Sequence, residues 1–149
     1  MFRSLAIGAA LAISLLVTGC ASVSMAPAEQ DVALKSFNKP AEGKAGVYIY
    51  RNTFVGQALK KTVSLDGQVV GETANKVYFY KEVTPGDHVL STESEFSDNE
   101  LKFTTIAGRN YFFEQYIKMG VFVGGANIRA VSEEEGKAGV SECKLAQGS

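Results

Sequence analysis

The sequence of 149 residues contains no tryptophan, only one histidine and only two cysteines. This supply is too small for a typical zinc site, which uses three or four His, Cys or carboxylate ligands. The chain also has no excess of positive or negative charge, since it contains 15 basic and 16 acidic residues, and no basic stripe is present. A nucleic-acid partner is therefore not expected. Hydrophobic residues make up 46% of the chain, which excludes general disorder and suits one domain.

The amino terminus carries a single early charge, Arg3, followed by a mainly apolar run from Leu5 to Val17. This run is too short to cross a bilayer as a helix and is typical of a signal peptide. Residues 17–20 read Val-Thr-Gly-Cys, which matches the lipobox of bacterial lipoproteins. We expect cleavage between Gly19 and Cys20 and acylation of the Cys20 thiol. The membrane would then be a partner through the acyl chains on Cys20.

These features predict three segments: a lipoprotein signal peptide (1–19), a lipidated cysteine with a tether (20–44) and a β domain (45–149). The tether contains Pro27 and Pro40, and a short helix is predicted within it at 31–37. The expected location is the cell envelope, in the outer membrane facing the periplasm, because Ala21 rather than Asp follows the cysteine. Cys143 would be the remaining thiol, and we expect it to be buried.

Short runs rich in Val, Ile, Tyr, Phe and Thr alternate with turn residues from Ala45 onward, which is typical of an all-β chain. The Asp66-Gly67 pair predicts a type I′ hairpin turn. Ser132 precedes three glutamates and predicts a capped helix from Glu133 to about Cys143. The expected fold is a β-sandwich-like, mostly antiparallel all-β domain with a short C-terminal helix and a short N-terminal helix.

Few residues suggest chemistry. His88 could act as a general base, but no sequence pattern pairs it with a nucleophile or with a group that would orient the ring. A structural role for His88 is therefore favoured over catalysis. The acidic cluster around Glu93 and Glu95 lacks the spacing of a calcium loop and is interpreted as a solvated face. We therefore predict no catalytic residue, no metal site and no cofactor.

Two other features suggest binding. Tyrosines on a sheet face can stack on sugars or anchor peptides, although packing beneath the helix and tether is favoured. The apolar, glycine-rich segment 119–125 could contact a partner or bilayer, or fold over the core. The candidate binding face comprises Tyr48, Tyr50, Arg51, Tyr78 and Tyr80.

Five stretches occur in the order of a known family. They are Gly46 to Arg51, Val63 to Glu72, Pro85 to His88, Ala107 to Phe112 and Val131 to Gly136. Together they resemble the small bacterial lipoproteins grouped as domain of unknown function 2846, and the middle portion is similar to PEGA-type β modules. The resemblance implies a compact β-sandwich-like envelope domain and supplies no catalytic residues.

The expected function is a non-enzymatic, lipid-anchored interaction or accessory module that binds an unknown envelope protein or glycan. One alternative is a structural component that adds edge strands to an envelope assembly. Another is an envelope hydrolase that uses His88.

Overall fold

The computed structural model describes residues 21–149. The predicted signal peptide, its cleavage site at Gly19 and the lipidated Cys20 lie outside the described residues.

Nine strands and two helices make up the described part of the chain. They are α1 (Ala28–Leu34), β1 (Ala45–Arg51), β2 (Lys61–Leu65), β3 (Gln68–Thr73), β4 (Val77–Val83), β5 (Gly86–Thr92), β6 (Asn99–Thr105), β7 (Asn110–Lys118), β8 (Gly125–Val131), α2 (Glu133–Ser141) and β9 (Lys144–Leu145). One sheet has the order β8-β7-β1-β4-β9 and the other β3-β2-β5-β6. Pairing is antiparallel except between β1 and β7 and between β4 and β9. The predicted all-β, mostly antiparallel fold is confirmed.

The hairpin between β2 and β3 turns at the predicted dipeptide. Asp66 and Gly67 have φ values of 51° and 79°, as a type I′ turn requires. Asp tolerates this left-handed backbone better than most residues, and Gly adopts it freely.

The main core lies between the two sheets. Side chains from the first sheet, including Val47, Ile49 and Phe113, pack against Val63 and Leu90 of the second sheet. Because side chains alternate along a strand, the tyrosines between these β1 residues point to the opposite face of the first sheet.

Both helices cover that opposite face. Ser132 caps α2 as predicted, since its hydroxyl accepts a hydrogen bond from the Glu135 amide at 3.1 Å. Gly136 lies so close to the sheet that a Cβ there would be 2.2 Å from Phe112. The glycines of α2 therefore allow a close helix–sheet contact, although they weaken the helix itself.

The segment before β1 packs on the domain and is not a free spacer. The predicted helix at 31–37 begins earlier, at Ala28, and ends at Leu34. Phe37 then adopts a φ of 51°, which an α-helix cannot continue. Met25 forms a β-bridge with Ala146, and the Ala26 amide donates to the Leu145 carbonyl at 3.0 Å. The predicted tether (20–44) therefore contacts the domain at these residues.

Two of the four sheet edges, β9 and β3, do not favour assembly by strand addition, whereas the other two edges are β6 and β8, with seven residues each. β9 has only two residues, and β3 is partly covered because the Ser149 amide donates to the Val70 carbonyl at 2.8 Å. An exposed, long and flat edge is the feature that recruits further strands.

Candidate functional site

The predicted tyrosine face is buried and is not an open binding surface. Tyr48, Tyr50 and Tyr78 are at most 3% exposed, and Tyr80 is half-buried. The hydroxyl of Tyr48 donates to the Leu34 carbonyl at 2.9 Å. Burial raises the pKa of Tyr48 to about 12, which keeps this donor protonated. The binding interpretation is wrong for these residues because α1 and α2 cover this face of the sheet.

Tyr78 holds a buried carboxylate beneath α1. Its hydroxyl donates to Asp31 Oδ1 at 2.9 Å, and the same oxygen accepts the Leu145 amide at 3.2 Å. Lys35 pairs with the other oxygen at 3.0 Å. Burial alone would raise the pKa of Asp31, but these donors lower it below its usual value. The cluster attaches the N-terminal segment to the C-terminal strand.

Arg51 is also buried and does not face a ligand. Its guanidinium donates to the carbonyl oxygens of Gly56 and Leu59, each at 2.6 Å, and burial lowers its pKa. These bonds close the β1–β2 loop around a fixed charge. Arg51 therefore stabilises the conformation of the β1–β2 loop, and its assignment to an exposed binding face is wrong.

His88 joins two turns at one end of the sandwich. Its Nδ1 lies 2.6 Å from Asp66 Oδ2, and its Nε2 lies 2.7 Å from the Thr84 carbonyl oxygen. Burial alone would lower the pKa of His88, but both hydrogen bonds and the Asp66 charge raise it. Two acceptors at the two ring nitrogens favour the doubly protonated ring, which has no free lone pair for general base catalysis.

The remaining chemical candidates are also used in structural contacts. Cys143 is 1% exposed, and burial raises its pKa to about 12, which disfavours a reactive thiolate. Glu93 accepts the Thr62 amide at 2.7 Å, and Glu95 accepts the Val121 amide at 2.6 Å. Within residues 21–149, no group of three or more His, Cys, Asp or Glu side chains could hold a metal ion.

One end of the sandwich exposes a cluster of large apolar side chains on three loops. The β1–β2 and β7–β8 loops lie at the same end because β1 and β7 run parallel. The β5–β6 loop joins them where the Glu95 carboxylate binds the Val121 amide. We call this cluster the apolar loop end; it consists of Phe54, Val55, Phe96, Met119, Val121, Phe122 and Val123.

Close backbone contacts hold these loops together. A Cβ on Gly56 would be 2.7 Å from Ile117, and one on Gly124 would be 2.7 Å from Leu59. The β1–β2 loop therefore packs directly against both ends of the β7–β8 loop. The glycines permit this approach and leave the larger side chains pointing outward.

The described chain begins at this same end. The Ala21 amide donates to the carbonyl oxygen of Gln57, in the β1–β2 loop, at 3.1 Å. Ala21 and Val23 also pack on the buried cluster that contains Val77 and Phe79. Cys20 is therefore one peptide bond away from a residue fixed beside the apolar loop end.

The sequence identified only part of this surface. The apolar segment 119–125 is evident from its composition, but the pair Phe54-Val55 and the lone Phe96 give no periodic pattern. Only the strand order brings the three loops to one end. Neither helix in the part that the structure describes is long and apolar enough to cross a membrane.

Comparison with known proteins identifies two similarities. The profile of a family described as "Protein of unknown function (DUF2846)" matches residues 41–126. An uncharacterized protein of Haemophilus influenzae is 48% identical over 136 residues, covering 91% of this chain and 81% of that protein. The matched region runs from the loop before β1 into β8.

Proposed function

The chain belongs to the family of proteins of unknown function DUF2846, and within it we propose that this protein is a lipid-anchored module of the bacterial envelope. It acts by binding a partner rather than by catalysis. Acyl chains on Cys20 confine it to the outer membrane, facing the periplasm. Its partner is an envelope protein or glycan.

The observation that carries this proposal is the docking of Ala21 beside the lipobox cysteine. The Ala21 amide is bound to Gln57, so about 3.8 Å of backbone separates its Cα from that of Cys20. Two or three acyl chains hold a protein stably, since each buried methylene contributes about 0.8 kcal/mol. An anchor at Cys20 would keep the domain directly at the lipid surface and raise its effective concentration near membrane partners.

The chemistry of the polar residues supports binding over catalysis. Both ring nitrogens of His88 face acceptors, and the Cys143 thiol is enclosed in the core. The tyrosines that suggested sugar binding support the two helices instead. A nucleophile or base with free access to substrate is what a hydrolase requires.

The test compares the wild-type chain with Cys20→Ala in a bacterial host. We expect the wild type to incorporate an alkyne-tagged fatty acid and to sediment with outer membranes, whereas Cys20→Ala does neither. Cys143→Ala removes the other cysteine and should retain both label and location. An unlabelled wild-type protein, or a Cys20→Ala variant that still sediments with membranes, would contradict lipid anchoring.

Crosslinking followed by mass spectrometry tests the binding role. Partners recovered with the wild type and lost with Cys20→Ala would identify the system that the anchored module serves. An identical set of partners from both proteins would show that the anchor does not bring them together.

A further inference from the structure

We propose that the apolar loop end is a membrane-contacting surface, whose side chains enter the headgroup and upper acyl region of the bilayer beside Cys20. This inference deepens the proposed function, because it names the face of the domain that meets the lipid. It assigns the phenylalanines Phe54, Phe96 and Phe122 as the inserted side chains.

The first argument is exposure. Seven of the eleven large apolar side chains that are exposed within residues 21–149 belong to the apolar loop end. Phe54 is 79% exposed, Phe96 is 77% exposed and Phe122 is 83% exposed. Soluble monomers rarely gather this much apolar surface unless it contacts something else.

The second argument is that the loops hold this surface outward. The Glu95 carboxylate accepts the amides of Val121 and Phe122, which fixes the backbone of the β7–β8 loop. Arg51 fixes the β1–β2 loop through Gly56. The buried Arg51 guanidinium therefore lies behind the surface, whereas the Glu95 carboxylate is partly exposed, and the hydrogen bonds of both groups fix the loops that carry the apolar side chains.

The third argument is charge. The loop segments 52–59 and 119–124 contain no charged residue, and Lys60 and Lys118 border them, whereas the β5–β6 loop carries Glu93, Glu95 and the exposed Asp98. Lysines at the margin of an apolar surface can extend their ammonium groups to lipid phosphates while their stems lie along the apolar region. The carboxylate of Glu93 is paired with the protein backbone, since it accepts the Thr62 amide at 2.7 Å.

The fourth argument is location, which favours a bilayer over a protein partner. The chain leads from this end directly to Cys20, one residue before the docked Ala21. An acylated cysteine at this position brings the apolar loop end to the lipid surface before any other face. The opposite end, with the His88 turns, then points away from the membrane.

The absence of tryptophan allows a direct test. Phe122→Trp and Phe96→Trp place a sole tryptophan on the apolar loop end, and Ile106→Trp places one on the β6–β7 turn at the opposite end. Ile106 is 56% exposed, so it is a matched surface control. Each full-length, processed protein is reconstituted into phosphatidylethanolamine–phosphatidylglycerol vesicles with or without brominated acyl chains, which quench tryptophan on contact.

Side chains of interfacial segments reach roughly 5–10 Å into the headgroup and acyl boundary, within range of bromines on the upper acyl chain. We expect emission from Phe122→Trp and Phe96→Trp to shift to the blue and to fall by about half with brominated lipid. Emission from Ile106→Trp should stay unchanged. Weak quenching at all three positions would overturn the proposal.

A different occupant gives a different result. Because this protein is the only one in the sample, a blue shift without quenching would show that a second copy covers this end, and the shift would grow with protein concentration. That result overturns the membrane assignment.

The intact mass of the same samples reports acylation separately. Acylated protein without quenching contradicts this inference alone, whereas an unacylated Cys20 contradicts the proposed anchor. If Cys20 is unacylated, the quenching measured after the protein is added to preformed vesicles still tests the apolar loop end.

Discussion

The hydrogen bonds of His88 make the stability of this domain depend on pH in a predictable direction. The ring connects the Asp66 carboxylate of one turn to the Thr84 carbonyl of another, at 2.6 and 2.7 Å. The folded-state pKa of His88 is raised above its usual 6.5, so the contribution of the charged ring is fully present below about pH 6.5. This contribution is lost as the pH rises through the folded-state pKa.

Asp66 acts in the opposite direction at low pH. Burial alone would raise its pKa, but the hydrogen bond from His88 and the Val89 amide lower it below the usual 3.8. Its contribution is present above that value and disappears as the pH falls through the folded-state pKa. The pair therefore stabilises the fold most strongly between about pH 4 and pH 6.5.

The substitution His88→Gln removes the charge and can satisfy only part of this geometry. Hydrogen bonds to charged groups contribute about 1.5–3 kcal/mol. The Asp66 side chain is 47% exposed, so solvent screening reduces the expected loss to about 1–2 kcal/mol at pH 5.5. The loss should shrink as the pH rises, because the wild-type ring becomes neutral. One titrating proton allows a slope of at most about 1.4 kcal/mol per pH unit.

The assay is urea unfolding followed by circular dichroism at several values from about pH 5.5 to pH 8.5. His88 is the chain's single histidine, and the pKa of Cys143 is raised to about 12, which is above this range. Wild-type stability should fall with rising pH, and the curve for His88→Gln should be flat. A variant that keeps the wild-type slope, or a wild type without one, would refute this role for His88.

Two further substitutions test the covered face of the first sheet. Gly136→Ala would place a Cβ 2.2 Å from Phe112, so α2 must move outward. We expect the free energy of unfolding to fall by about 1–3 kcal/mol, measured by thermal unfolding, although Ala has the higher helix propensity. An unchanged melting temperature would show that α2 does not press on the sheet. Tyr78→Phe removes the donor to Asp31 and should cost about 1–2 kcal/mol by urea unfolding. Stability equal to wild type would contradict the importance of that buried contact.

Local patterns were enough to predict much of the fold. Short runs rich in Val, Ile, Tyr, Phe and Thr predicted β1 and its neighbours, and Asp66-Gly67 predicted a hairpin whose φ values require those residue types. Ser132 predicted the start of α2 because its hydroxyl needs only the amide three residues later. Each of these features depends on interactions within a few residues of sequence.

The predicted binding face is wrong because segments distant in sequence bury it. Tyr48 and Tyr78 lie on the face of the first sheet that is opposite the main core. The residue pattern of the strands does not show whether that face contacts solvent or a helix. Packing of α1 and α2 buries them, and Asp31 gives Tyr78 its partner from 47 residues away. Packing of the tyrosines beneath the helix and tether is the alternative that the sequence also offered, and no local pattern decided between the two.

The sequence by itself determined most strands, the principal turn and the capped helix, because these depend on neighbouring residues, and it predicts the amino-terminal lipobox. The tertiary structure alone decided that the tyrosines are covered and that Arg51 organises a loop. It also decided that three separate loops meet beside Ala21 to form the apolar loop end. Strand order and the packing of helices on a sheet bring distant segments together, and burial follows from those distant contacts.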